Sequence, residues 1–131
     1  MKSLLLWAPV IIVMALIFHA SSLSDPGSPP GDISDKTAHL LAYFPLGAAL
    51  VRALAGGRAL RMTLPRIATA TILATVYGIS DEIHQILVPH RTPDWHDVVA
   101  DCLGALAGAM VFALVARTAS RLRRTDGSFN A

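Results

Sequence analysis

Four long apolar runs, separated by short polar connectors, dominate the pattern of this chain. They predict helices at about residues 4–20, 36–55, 66–88 and 96–116, followed by a polar tail at 117–131. Each run approaches the roughly 20 residues that an α-helix needs to cross a bilayer. The pattern therefore predicts an all-α fold, in which residues 1–131 form a single membrane domain built as a four-transmembrane-helix bundle.

Composition supports assignment to the membrane class. The 131 residues are 53% hydrophobic and only 15% charged, whereas soluble domains carry about 25% charged residues. The chain leaves little room for a separate soluble domain, and no nucleic-acid partner is expected. The single cysteine, Cys102, excludes an intramolecular disulfide framework and has no partner at metal-ligand spacing.

The first apolar run allows two interpretations. It could be a cleaved signal peptide, because small residues follow it at 20–22. However, the run is long for the apolar core of a signal peptide and contains Pro9, so we expect a retained first helix. The connector at 21–34 is rich in Pro, Gly and Ser, which excludes a helix there. Asp35 is then expected to cap the second helix.

The distribution of charge predicts the orientation of the helices. If there are four crossings, nine of the eleven Lys and Arg residues fall on one side: Lys2, Arg52, Arg58, Arg61, Arg66, Arg117, Arg121, Arg123 and Arg124. The other side holds Lys36, Arg91 and eight of the nine acidic residues. The positive-inside rule then places both termini in the cytoplasm and the polar motifs outside a bacterial inner membrane, facing the periplasm or exterior.

Helical spacing brings polar side chains from separate segments to one depth at the exterior end. Asp81 and Gln85 are four residues apart on the third helix and share a face. Asp97 and Asp101 share a face on the fourth helix that continues into Gly104. Ionisable residues at membrane depth are costly, so this cluster is a candidate functional site.

The candidates fall into two groups. The catalytic candidates are His39, Asp81, Glu82, Gln85 and Asp97, with Asp81 or Glu82 as a base and His39 as a second proton carrier. The ligand-binding candidates are Asp35, Lys36, Tyr43, Arg91 and Asp101, with Arg91 suited to phosphate or carboxylate. The carboxylates and histidines could instead hold a divalent cation, although no cofactor is assigned.

Several of these residues also have purely structural explanations. Asp35, Asp94 and Asp97 stand where helix caps are needed, and Arg91 could simply neutralise a buried carboxylate. The small residues Gly104 and Gly108 would allow another helix to approach closely. That helix could belong to the same chain or to a second copy, which would make the protein a homo-oligomer.

These motifs, in this order, resemble the VanZ-like family of small multi-pass membrane proteins. They are Asp35-Lys36-x-x-His39 with Tyr43, Ser80-Asp81-Glu82-x-x-Gln85, Pro89-x-Arg91, Asp97 and the pair Gly104 and Gly108. The resemblance covers about residues 35–108 and implies a role in the cell envelope. The founding member is linked to resistance against a glycopeptide antibiotic. Family members typically carry Asn where this chain has Asp101, so this chain has an additional carboxylate there.

Three functions compete on this basis. The leading hypothesis is a site at the exterior leaflet that binds or acts on a phosphate-bearing envelope lipid or lipid-linked precursor. The second is a membrane scaffold whose polar cluster only holds the helices together. The third is a proton- or ion-coupled carrier, since buried Asp, Glu and His mark such pathways.

Overall fold

The computed structural model describes residues 2–24 and 34–128 and contains four α-helices. They are α1 (Lys2–Ser21), α2 (Asp35–Leu54), α3 (Leu64–Gln85) and α4 (Trp95–Ser128), with a short 3-10 helix at Ala59–Arg61 between α2 and α3. No strand occurs among the described residues. The predicted all-α fold is confirmed.

Three of the four helices are long and apolar enough to cross a membrane. The spans are Ser3–Ser21 in α1, Asp35–Leu54 in α2 and Trp95–Arg123 in α4. Helix α3 is not among them; it carries Asp81 and Glu82 within its last two turns. The chain is therefore a helical protein with membrane-spanning character, whereas four crossings and cytoplasmic termini stay predictions.

Helix α1 and helix α3 end at the same end of the bundle, where α2 and α4 begin. We call it the polar end. At this end Ser22 Oγ, just beyond α1, lies 3.0 Å from His84 Nε2 in the last turn of α3. His39 in the second turn of α2 contacts Asp101 in the second turn of α4. The pattern of apolar runs thus places four helix ends, and the polar residues near them, in one region.

Helices α2 and α4 approach each other closely through glycines. A Cβ at Gly104 would collide with the Leu40 backbone, and a Cβ at Gly108 would collide with the Phe44 backbone. On α2, Gly47 faces the Ala105 backbone in the same way. The helix predicted to pack on Gly104 and Gly108 is therefore α2 of the same chain. A homo-oligomer through these glycines is an untested prediction, and it would require a surface that α2 already covers.

Helix α3 buries a single stripe, which ends in polar residues. Its buried positions are Ile67, Ala70, Thr71, Ala74, Gly78, Asp81, Glu82 and Gln85. The spacing of three and four residues is that of one helical face. Because Asp81, Glu82 and Gln85 continue the face that packs on the core, the helix directs them into the bundle.

Two helix ends differ from the predicted ones. Helix α3 was expected to reach Val88 but ends at Gln85, so Asp81 lies in its last turn and not about two turns inside. Leu87 and Val88 donate to carbonyls three residues back, and Pro89 disfavours helical backbone at Val88. Ser34, not Asp35, caps α2, since its Oγ accepts a hydrogen bond from the backbone of Thr37.

Helix α4 also continues through Ser128, whereas a polar tail was predicted to begin at residue 117. The four arginines and the single alanine between Ala116 and Ser128 favour helix. Arg117 donates to the Met62 carbonyl at 2.7 Å, which ties this turn to the connector before α3. The middle of the predicted connector, 25–33, and the chain end, 129–131, lie outside the described residues.

The glycine contact generates a stability prediction. We expect Gly108→Leu to lower the free energy of unfolding by about 1–3 kcal/mol, because a side chain there must displace the α2 backbone. Met110→Leu, at an exposed position of the same helix, is the control. The measurement is thermal unfolding of both purified variants in detergent. Equal stability of the two variants would contradict the close packing of α2 and α4.

Candidate functional site

A cavity of about 310 Å³ opens at the polar end of the bundle. The last turn of α1 forms one wall through Ile17 and Ala20, and the first turns of α2 form another. Six of the ten predicted site residues line it: Asp35, His39, Tyr43, Asp81, Gln85 and Arg91. Its volume is within the range of about 300–1,000 Å³ that is usual for small-molecule sites.

Helix α4 supplies His39 with a buried carboxylate partner. His39 Nδ1 lies 3.0 Å from Asp101 Oδ1, and Asp101 is fully buried. A carboxylate that accepts from Nδ1–H leaves Nε2 as the basic nitrogen of the neutral ring. Asp97 Oδ2 lies 4.0 Å from Nε2. Asp101, predicted as a ligand-binding residue, therefore contacts His39 and does not line the cavity.

The space for Asp101 depends on a glycine in α3. A Cβ on Gly78 would collide with Asp101 Oδ2 and would also crowd the rest of the carboxylate. Gly78 therefore leaves the room in which the Asp101 carboxylate lies. This contact could not be predicted from the sequence, because nothing in the sequence relates position 78 to position 101.

Lys36 is neutralised by two carboxylates, one in the first turn of α4 and one in the turn before that helix. Its Nζ lies 2.6 Å from Asp94 Oδ2 and 2.9 Å from Asp97 Oδ1. Asp94 also accepts a hydrogen bond from the backbone N–H of His96 at 2.9 Å, as an N-cap of α4 does. Lys36, with the two hydrogen bonds from His96, holds the pKa of the Asp94 carboxyl well below its usual range.

Glu82 holds the turn between α3 and α4. Its Oε2 accepts from the backbone N–H of Asp94 at 2.8 Å, and its Oε1 accepts from Gln85 Nε2 at 3.2 Å. Glu82 faces a second, smaller cleft beside Trp95 and does not line the cavity. The two carboxylates predicted as alternative bases thus lie in different places. Asp81 lines the cavity, whereas Glu82 accepts a hydrogen bond from the backbone of the turn.

Four buried polar atoms at the cavity have no hydrogen-bond partner among the described residues. They are Ser21 Oγ, Tyr43 Oη, Asp81 Oδ1 and Arg91 Nε, and all four residues line the cavity. Buried polar groups are nearly always satisfied, so such a cluster calls for an explanation. Ser21 was missed because it follows an apolar run in a serine-rich connector. Only the helical position of residue 21, four after Ile17, would have placed it on the inner face.

The same end offers a three-residue metal set that fits a cation poorly. One ligand atom each from Asp35, His39 and Asp97 lie within 4.8 Å of one another. However, the ammonium of Lys36 lies 2.9 Å from Asp97 Oδ1. A divalent cation at this position would therefore face a fixed positive charge.

The helices and this polar end define a helical membrane protein with a small cavity at one end of its bundle. The family model described as VanZ/LLP1 matches residues 6–116. The chain therefore belongs to the VanZ/LLP1 family, which confirms the resemblance found in its motifs. No curated protein and no solved structure matches the chain.

The Asp94 ion pair predicts a specific acid sensitivity. A carboxyl whose folded-state pKa is lowered stabilises the fold above about pH 4 and loses this contribution as the pH falls through the folded value. Asp94→Asn keeps a capping side chain but removes the charge, so we expect lower thermal stability at neutral pH and a shallower loss in acid. Thermal unfolding in detergent from about pH 7 down to about pH 2 measures both effects.

Asp35→Asn is the control for this measurement, because Asp35 is exposed and makes no ion pair among the described residues. It should keep the acid sensitivity of the wild type. The same steep acid loss in Asp94→Asn would contradict the assigned role of the Lys36–Asp94 pair.

Proposed function

We propose that this protein binds the head group of a phosphate-bearing envelope lipid, or of a lipid-linked precursor, in the cavity at its polar end. The observation that carries the proposal is that the two cations at the polar end differ in their partners. Lys36 is neutralised by Asp94 and Asp97. Arg91 lines the cavity, makes no ion pair within the described ranges, and has a buried Nε–H without a partner.

The surroundings of Arg91 support an oxygen-rich anion as the ligand. The hydroxyls of Ser21 and Tyr43 line the same cavity and also lack partners. A guanidinium and two hydroxyls are donors suited to phosphate oxygens. The apolar wall from α1 and α2 suits the first carbons of a lipid chain.

His39 equips the same cavity for proton transfer. Asp101 orients the ring, so that Nε2 is free to accept a proton from a bound hydroxyl or from water. In this arrangement Asp101 is a positioning residue and His39 is the proton acceptor. Glu82, predicted as an alternative base, is assigned to holding the turn before α4.

The proposal includes four crossings with both termini in the cytoplasm. Helix α3 supports a fourth crossing through its outer face, where Ile72, Val76 and Ile83 are exposed. Exposed apolar side chains of this size on a helix suit contact with lipid. The polar end then faces the exterior leaflet of a bacterial inner membrane, in agreement with the positive-inside rule.

A second candidate function, a membrane scaffold, is favoured by a different observation. Lys36 bridges α2 to α4, and Glu82 fixes the turn that joins α3 to α4. Both contacts stabilise the bundle without any ligand. This hypothesis explains the paired polar groups, but it does not explain the unpartnered atoms at the cavity.

Substitution of Arg91 separates the two functions. We expect Arg91→Met to weaken binding of a polyprenyl phosphate about tenfold or more, because hydrogen bonds to charged groups contribute about 1.5–3 kcal/mol and 1.4 kcal/mol is tenfold. Binding is measured with the purified protein in nanodiscs, against a polyprenyl alcohol of the same chain length.

Arg58→Met is the matched control, since Arg58 is exposed in the connector after α2. It should bind like the wild type. If wild type and Arg91→Met show the same weak binding of phosphate and alcohol, the head-group proposal is wrong and the scaffold function is favoured.

A role in glycopeptide resistance extends the same proposal. We expect expression of the wild type in a susceptible bacterium to raise the inhibitory concentration of a glycopeptide antibiotic, and Arg91→Met at equal membrane abundance to raise it less. The measurement is growth in graded antibiotic with immunoblotting of membranes. Full protection by Arg91→Met would separate resistance from the cavity.

A further inference from the structure

Among the described residues, the cavity combines unpartnered donors with an unpartnered carboxylate oxygen. Ser21, Tyr43 and Arg91 each line it with an unpartnered atom that can donate, whereas Asp81 lines it with an unpartnered carboxyl oxygen, Oδ1. A bare phosphate offers only acceptors when it is fully ionised. It could satisfy the three donors but not Asp81.

Asp81 cannot obtain its missing partner from nearby side chains in their present positions. Its other oxygen, Oδ2, already accepts from Gln85 Nε2 at 3.5 Å. Within residues 2–24 and 34–128 it makes no ion pair, and Lys36 is held by Asp94 and Asp97. The side chain is only 4% exposed, so bulk water does not readily compensate the free oxygen.

We infer that the ligand of this cavity carries a hydroxyl group beside its phosphate, and that Asp81 selects it by accepting a hydrogen bond from that hydroxyl. This inference rests on the proposed function. The ligand class is a phosphate ester of a polyol or a sugar, which supplies oxygens to Arg91 and a donor to Asp81. The same chemistry occurs in a lipid head group and in a soluble phosphodiester.

The arrangement also rejects ligands that lack the hydroxyl. A phosphate diester without a donor would bring its negative charge near Asp81 and leave Oδ1 unsatisfied. Sites built to hydrogen-bond a hydroxyl discriminate strongly against analogues without it, because the buried polar group then stays unpaired. We therefore expect selectivity of about tenfold or more at equal ligand charge.

The test compares phosphatidylglycerol with phosphatidylmethanol of the same acyl chains. Both are phosphodiesters of the same charge, but only the glycerol head group can donate hydrogen bonds. Binding of each lipid to the full chain in detergent is measured for wild type, Asp81→Asn and Ser80→Ala. Ser80 is the control, because it is exposed and its Oγ donates to the Tyr77 carbonyl. Glycerophosphoglycerol, the soluble head group, is the third ligand.

We expect wild type and Ser80→Ala to prefer phosphatidylglycerol about tenfold or more. In Asp81→Asn the preference should fall severalfold toward equality, while the affinity for phosphatidylmethanol is maintained. Binding of glycerophosphoglycerol as tight as that of the lipid would support the inference with a soluble phosphodiester as the source. Weaker binding would support it with a lipid source.

The results that overturn the inference fall into two kinds, and only the second can also overturn the proposed function. Equal affinity of the wild type for the two lipids rejects the hydroxyl, and an undiminished preference in Asp81→Asn rejects its recognition by the Asp81 carboxylate. Both results leave the phosphate proposal standing. No binding of either lipid by the wild type rejects the inference, and no binding of polyprenyl phosphate as well rejects both proposals. If Asp81→Asn does not fold, the ratio measured with wild type and Ser80→Ala decides alone.

Discussion

The close approach of α2 and α4 is the contact on which the polar end depends. Gly104 and Gly108 bring the α4 backbone against the backbone of α2 near Leu40 and Phe44. At this separation a carboxylate two turns into α4 reaches an imidazole two turns into α2, as Asp101 reaches His39. A wider spacing would admit lipid or water between the helices, and the buried carboxylate would lose its contact with His39.

Close packing and charge are coupled at this interface. Three acidic side chains, Asp94, Asp97 and Asp101, line successive levels of α4 and the turn before it. Lys36 pairs with the upper two and His39 with the lowest. The ammonium of Lys36 and the imidazole of His39, both on α2, thus match these three acids level by level. Arg91 and Asp81 lie outside this matched set, which is why they are the groups left to interact with something else.

Much of this architecture could be predicted from the sequence, because apolar runs and helical spacing are local signals. The stripe that directs Asp81 and Gln85 into the bundle follows from their spacing alone. The end of α3 could not be predicted as well, since the tight turn after Gln85 depends on hydrogen bonds three residues back and on Pro89. The observed cap of α2 lies one residue before the predicted one, because Ser and Asp are both good caps and compete for the same backbone groups.

Within the site, residue types were easier to predict than their partners. The sequence identified Glu82 and Asp81 as equivalent candidates, because neighbouring carboxylates on a helix look alike. Only the fold of the turn before α4 distinguishes them, by placing the backbone N–H of Asp94 on Glu82. Ser21 could not be predicted as a site residue for a related reason, since its place in the cavity depends on where α1 ends relative to α2. Long-range pairing is information that spacing along the chain does not contain.

The contact between Gly78 and Asp101 has a consequence for how relatives of this chain can differ. Any side chain at position 78 would occupy the volume of the Asp101 carboxylate, so Gly78 is not free to change while Asp101 stays as it is. A bulkier residue on α3 would require a smaller or differently turned residue on α4. The two positions, 23 residues apart in the chain, are thus expected to covary across the family.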